Sequence, residues 1–267
     1  MFSLTEQQLE QFKTQGWVGP FPFLSDEETC LLKTELRRCF NLSRGFFYPE
    51  QVEPGVSYYN DMPWFQSLHS LSPKIRAVGR RPEIVDRVSQ LLGDDLMQWA
   101  SICFPQGPKE SLHWHSDTEY DYFNAVGIWV GIDNVTPETA LKLLPGSHLL
   151  NKFPEDFIGG TGMDMKELSP DQVMLNIANK IAKDFIAEPI RPQMKDGEFI
   201  ILNGKLWHAS DNPSDKDRTA MGLRYSPPDQ KIRIPLTYLH PVQWDPTPPP
   251  CVIVKGEDRW GLNELMD

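Results

Sequence analysis

The sequence predicts a mainly β protein with flanking α: a double-stranded β-helix, or jelly roll of the cupin-like kind, with N-terminal helices packed outside. Three observations carry this. Capped, amphipathic helical patterns fill the first part of the chain, eight short strand-like runs follow between Leu96 and Val254, and 267 residues is an ordinary length for one all-β barrel or sandwich. A single domain over 1–267 is expected, helical over 1–95 and jelly-roll over 96–267.

Leu9 and Phe12 stand at helical spacing between Leu4 and Gln15, with Gly16 as C-cap and the apolar pair Trp17-Val18 after it. Ser25-Asp26-Glu27-Glu28 has the form of a reciprocal helix cap and leads into Leu31, Leu32, Leu36 and Phe40. From Ser43 to Ser72 glycine, proline and aromatic residues lack periodicity, so this stretch reads as a long irregular segment that lines a pocket or covers the core. Pro82 to Leu92 reads as another helix, with proline in its first turn and Gly93 at its end.

Strands are expected over Leu96–Phe104, Ala125–Ile132, Leu141–Leu144, Ile190–Met194, Glu198–Leu202, Leu206–Ser210, Ala220–Tyr225 and Val252–Val254. The third closes on the turn Pro145-Gly146-Ser147-His148. Between the third and fourth, 151–186 is an insertion: glycines 159, 160 and 162, then Ser169-Pro170-Asp171 opening a helix that carries Val173, Leu175, Ile177, Ile181 and Phe185. Such an insertion is either a lid over the barrel mouth or a helix that plugs one end. Pro246 to Pro250 stiffens a surface turn.

A net charge of -11 repels polyphosphate backbones, and no local basic patch overrides it, so nucleic acid is not an expected partner. No apolar run approaches bilayer length, and the start lacks a basic region followed by an apolar segment, so a cytoplasmic protein that does not engage membranes is expected. Cys30, Cys39, Cys103 and Cys251 show no paired spacing and are expected as buried free thiols.

The chemistry concentrates in His113-Trp114-His115-Ser116-Asp117. Residues two apart on an extended strand point the same way, so His115 and Asp117 place an imidazole and a carboxylate side by side, spaced to share a small cation. A second histidine would complete the set of two imidazoles and one carboxylate that holds non-haem Fe(II) and leaves one face open. His208, about 90 residues beyond Asp117, ends an extended run, and a closed sheet would return it to the first pair. His113 and His115 could instead form a His-x-His pair with Asp117 behind it, as in a cupin-like metalloprotein that is not an oxygenase.

His115-Ser116-Asp117, then Leu144-Pro145-Gly146-Ser147-His148, then His208-Ala209-Ser210-Asp211-Asn212-Pro213-Ser214 with Arg218 together resemble the phytanoyl-CoA dioxygenase family of Fe(II)- and 2-oxoglutarate-dependent oxygenases. The resemblance extends to both ends of the chain. It implies iron bound by His115, Asp117 and His208, with 2-oxoglutarate and dioxygen as cosubstrates. By the same resemblance Arg218 pairs with the distal carboxylate of 2-oxoglutarate, Ser210 hydrogen-bonds it, and Trp129 packs against it or serves the core. A planar guanidinium suits a bidentate grip on a carboxylate. The interval from His208 to Arg218 is one residue shorter than the commonest family form, which leaves Arg224 as the competing anchor.

The implied reaction is oxidation of an unactivated C–H bond, with hydroxylation as the default and desaturation, ring closure and epoxidation as variants. Halogenation is disfavoured, because Asp117 stands where such halogenases have a small residue. Tyr120, Tyr122 and Phe123, with Trp64 and Phe65, would suit a small hydrophobic or ring-bearing substrate or would belong to the core.

Overall fold

The computed structural model describes residues 2–47, 66–118, 124–152, 154, 170–182, 185, 187–237, 243–245 and 249–266. Helix α1 (Glu6–Gln15) begins with a reciprocal cap, Thr5 and Gln8 each accepting the other's backbone N–H, and stops at Gly16 in the left-handed region. Strand β1 (Trp17–Pro22) follows and pairs antiparallel with β6 (Glu198–Asn203) at one edge of the main sheet. The helical 1–95 part thus also contributes an edge strand. Trp17, Val18 and Phe21 bury apolar surface there, and an edge strand tolerates Pro20, which has no N–H to give a second neighbour.

Ser25 and Glu28 form the expected cap of α2 (Asp26–Phe47) through bonds of 2.8 and 3.2 Å, and the helix runs past Ser43 into the segment read as irregular. The end of that segment is helical too, as α3 (Leu68–Leu71), and α4 (Pro73–Gly79) follows, capped by the Ser72 hydroxyl. Helix α5 (Pro82–Leu92) stands as expected before Gly93. Trp64, Phe65, Tyr120, Tyr122 and Phe123 lie outside the described residues.

The other main-sheet strands are β2 (Leu96–Gln106), β4 (Val126–Asp133), β8 (Arg218–Ser226) and β11 (Val252–Lys255), in the order β1-β6-β4-β8-β2-β11. A smaller sheet joins β3 (Ser111–His115), β7 (His208–Asp211) and β5 (Lys142–Leu143), in the order β3-β7-β5. These two sheets form the jelly roll. A further pair, β9 (Ile234–Thr237) with β10 (Gln243–Asp245), had no clear sequence pattern. The expected strand Ile190–Met194 reduces to one bridge between Ile190 and Leu143, because Pro192 lacks the N–H a ladder requires.

Alternation along the strands divides the core. Ile128, Val130, Phe199, Ile201 and Leu223 face the helices, where they meet Leu36, Ile75, Ile84 and Val88. Trp129, Ile200, Leu202 and Ala220 face the other way, against Leu143 of the smaller sheet and Leu141 just before it. In the insertion, helix α6 (Pro170–Ile181) buries Val173, Met174, Ile177 and Ala178 against Trp114, Leu144, Trp207 and Ala209. Trp114 and Ala209 alternate with His115 and His208, so α6 covers the face of the smaller sheet opposite the histidines. Asp171 in its first turn accepts from Trp114 Nε1 at 3.0 Å and pairs with Lys142 at 3.1 Å. Glycines 159, 160 and 162 of the insertion lie outside the described residues.

Among the described residues no helix is long and apolar enough to cross a membrane. All four cysteines are free thiols, with Cys39, Cys103 and Cys251 buried and Cys30 exposed.

Candidate metal centre

His115 at the end of β3 lies opposite His208 at the start of β7, so one strand pairing closes the long sequence gap. Their rings are 4.3 Å apart between centroids, and Asp117 Oδ1 lies 3.8 Å from His208 Nε2. One ligand atom from each of His115, Asp117 and His208 lies within 4.8 Å of the others. No other such group of three or more potential ligands occurs among the described residues. His113 is not in it. Its ring stands 5.9 Å from that of His115, on an exposed residue, so the His113/His115 pair of the cupin-like alternative is not what the fold brings together.

Both imidazoles are held in one tautomer. His115 Nδ1 bonds the His113 carbonyl and His208 Nδ1 bonds the Leu206 carbonyl, each at 2.8 Å, and since a carbonyl only accepts, Nδ1 carries the hydrogen and Nε2 is the nitrogen left to ligate. Desolvation in the cleft, with the His208 ring as neighbour, pushes the His115 pKa down to about 3, so this imidazole is neutral and ready to ligate at pH 7. For Asp117 burial pulls the other way. The Arg224 guanidinium and the two imidazoles outweigh it and hold the carboxyl below its ordinary range.

Arg224 is committed to this corner. It ion-pairs with Asp117 Oδ1, donates to Gln66 Oε1 and lies 5.4 Å over the Trp99 ring. Gly127, opposite Arg224 on β4, admits the carboxylate, since a Cβ there would lie 3.1 Å from Asp117 Oδ2.

Strand β8 begins at Arg218, two residues before the expected start. Arg218 and Arg224, six apart, therefore share the cleft face. Arg218 is 1% exposed, and burial, with Arg191 nearby, lowers its pKa to about 10, which leaves it a cation at neutral pH. Nη2 donates to Gln106 Oε1, whereas the buried Nε and Nη1 have no partner among the described residues. Unpaired buried donors of a charged group are costly and call for an acceptor. The guanidinium lies 5.4 Å over the Trp129 ring, and Trp129 also belongs to the apolar layer between the sheets. A cleft of about 450 Å³, open mouth included, runs from His115, Asp117 and His208 to Arg218, lined also by Ser210 and Trp129.

The structure thus brings His115, Asp117, His208, Ser210, Trp129 and Arg218 to one cleft. Gln66, Gln106, Gly127 and the Asp117 partnership of Arg224 were not foreseen. The one available signal was the even spacing of 218, 222 and 224, readable only once the strand start is known.

Fold and site define a jelly-roll protein in which two imidazoles and a carboxylate converge closely enough to share a metal ion. The chain belongs to the phytanoyl-CoA dioxygenase family, whose profile matches residues 12–220. It is 27% identical over 168 residues to ectoine dioxygenase of Halomonas elongata, a match covering 57% of this chain and 50% of that protein. The chain thus spans about half the length of that curated relative. Among solved structures, CytC3 with Fe(II) and alpha-ketoglutarate superposes with a TM-score of 0.63 at 20% identity, covering 99% of this chain and 93% of that one. The non-haem monooxygenase ThoJ in its nickel complex superposes with a TM-score of 0.61 at 21% identity, covering 97% and 87%. Both likenesses concern the fold.

Proposed function

We propose that the protein is an Fe(II)- and 2-oxoglutarate-dependent dioxygenase that oxidises, and by default hydroxylates, a C–H bond of a small hydrophobic or ring-bearing metabolite. One observation carries the reading: the cleft joins the His115/Asp117/His208 group to a buried guanidinium with two unpaired donors. The donor set fits iron, and a dicarboxylate that reaches from iron to Arg218 would give one of those donors, together with Nη2, an acceptor. Bound iron and 2-oxoglutarate would supply the capacity to activate dioxygen toward a C–H bond.

The chain's own residues supply placement. His115 and His208 present lone pairs, Asp117 supplies charge, and Arg218 with Ser210 takes the far carboxylate. Apolar Phe104, Leu112, Leu141 and Leu202 line the same cleft and limit access of water. The Halomonas relative is named for action on a small molecule, in keeping with a small-molecule substrate here.

Anaerobic titration with Fe(II) and 2-oxoglutarate should produce a metal-to-cosubstrate charge-transfer band. Admission of oxygen with a panel of small metabolites should then release succinate with at least one of them. No band, and no oxygen-dependent succinate above an iron-free control, would refute the reading. Arg218→Lys keeps the charge without the planar fork, so it should raise the 2-oxoglutarate Kd about tenfold or more. Fe(II) affinity should stay within about twofold, since Arg218 is not among the ligands. Arg224→Lys should weaken 2-oxoglutarate less, and the reverse order would move the anchor to Arg224.

A further inference from the structure

We propose that Gln106 is the positioning residue of the cosubstrate anchor: it fixes which edge of the Arg218 guanidinium faces the cleft. The inference rests on the reading of Arg218 as that anchor. Gln106 is the last residue of β2 and lies directly opposite Arg218 in the β2–β8 register, buried at 7% exposure. Its Oε1 accepts from Arg218 Nη2, and its Nε2 donates to the Ser210 carbonyl at 3.4 Å. The amide is thus used at both ends, and its orientation is set, because only Nε2 can donate to a carbonyl and only Oε1 can accept from a guanidinium.

A guanidinium offers a carboxylate two forks, one made of Nε and Nη2, the other of Nη1 and Nη2. Nη2 belongs to both. A bond from one Nη2 hydrogen to Gln106 occupies one fork and leaves the other, made of the second Nη2 hydrogen and one of the partnerless donors Nε and Nη1, for a carboxylate. Gln106 also ties the anchor to β7 at Ser210, the residue proposed to share the same carboxylate. Asn212 Nδ2 in turn donates to the carbonyls of Gln106 and Gly107, at 3.0 and 3.1 Å, which holds this strand end. The selection is therefore built across β2, β7 and β8, not left to the rotamers of Arg218.

The test is anaerobic titration of 2-oxoglutarate into the Fe(II)-loaded protein, read by the charge-transfer absorbance, with Fe(II) affinity measured separately. Gln106→Leu frees the guanidinium to pivot and should raise the 2-oxoglutarate Kd about tenfold. Gln106→Glu places a carboxylate on Arg218 that competes with the cosubstrate, and should raise Kd on the order of a hundredfold or more. Both should bind Fe(II) within about twofold of wild type. A merely structural role would not rank Glu below Leu in this way. If Gln106→Leu does not fold, the near-isosteric Gln106→Met takes its place with the same expectation. Wild-type cosubstrate affinity in the Leu or Met variant, or a Glu variant no weaker than Leu, overturns the proposal. If Arg218→Lys itself leaves 2-oxoglutarate affinity unchanged, the anchor reading fails and this inference with it; if Arg218→Lys weakens binding and the Gln106 variants do not, only this inference fails.

Discussion

Fe(II) affinity is expected to fall by more than the roughly 10–100-fold typical of losing an outer-shell partner when His115 or His208 becomes alanine or Asp117 becomes asparagine. Each change removes one of three protein ligands, and water is a poor substitute for an imidazole already fixed in the ligating tautomer by its Nδ1 bond. Asp117→Asn is the sharpest of the three. The amide keeps an oxygen for Arg224 but removes the only negative charge of the ligand group, so the cation would face two neutral rings with a guanidinium close by. His113→Ala should retain the metal, because its ring is outside the converging group. The measurement is anaerobic calorimetric titration with Fe(II), and with Mn(II) as a redox-stable substitute, on variants shown to be folded by circular dichroism. If His113→Ala lost metal as fully as His115→Ala, the ligand set would shift to the histidine pair of β3.

Local periodicity made part of this site legible. His115 and Asp117 are two residues apart on one extended run, and the caps at Ser25 and Gly16 involve residues within four positions of each other. His208 needed a neighbour in space, which the order of its following residues supplied by resemblance. What stayed hidden depends on contacts between distant strands. Gln106 meets Arg218 across 112 residues, and Asp117 meets Arg224 across 107, distances at which no sequence spacing constrains register. The early start of β8 was missed because Arg218 and Thr219 carry polar character, yet the barrel interior here is a polar site. Strand β1 carries Gly19-Pro20, a pair with the composition of a turn, which at a sheet edge costs little.

Arg224→Met should destabilise the metal-free protein by about 3 kcal/mol or more, the usual consequence of leaving one member of a buried ion pair uncompensated. At roughly 2–4 °C per kcal/mol for a chain of this size class, the melting temperature should drop on the order of 10 °C. Asp117 and Arg224 side chains are each only 12% exposed, so solvent does little to screen the loss. The pH dependence gives the sign. In the wild type the Asp117 carboxyl sits below its ordinary range, so its contribution is present above the unfolded carboxylate pKa and is lost as pH falls through the lower folded value. Without Arg224, burial is the largest influence left and pushes the folded pKa above the unfolded one. The contribution then changes sign: it penalises the fold at neutral pH and the penalty fades as pH falls toward the unfolded pKa. The gap in melting temperature between variant and wild type should therefore be widest near pH 7 and narrow on acidification. A divalent cation at His115, Asp117 and His208 would compensate the same carboxylate, so Mn(II) should raise the melting temperature of Arg224→Met by more than that of wild type. Thermal scans from about pH 3 to 8, with and without Mn(II), decide the matter: a pH-independent gap that Mn(II) leaves unchanged would show that Arg224 supports the fold through packing on Trp99 and Gln66 instead of by balancing Asp117.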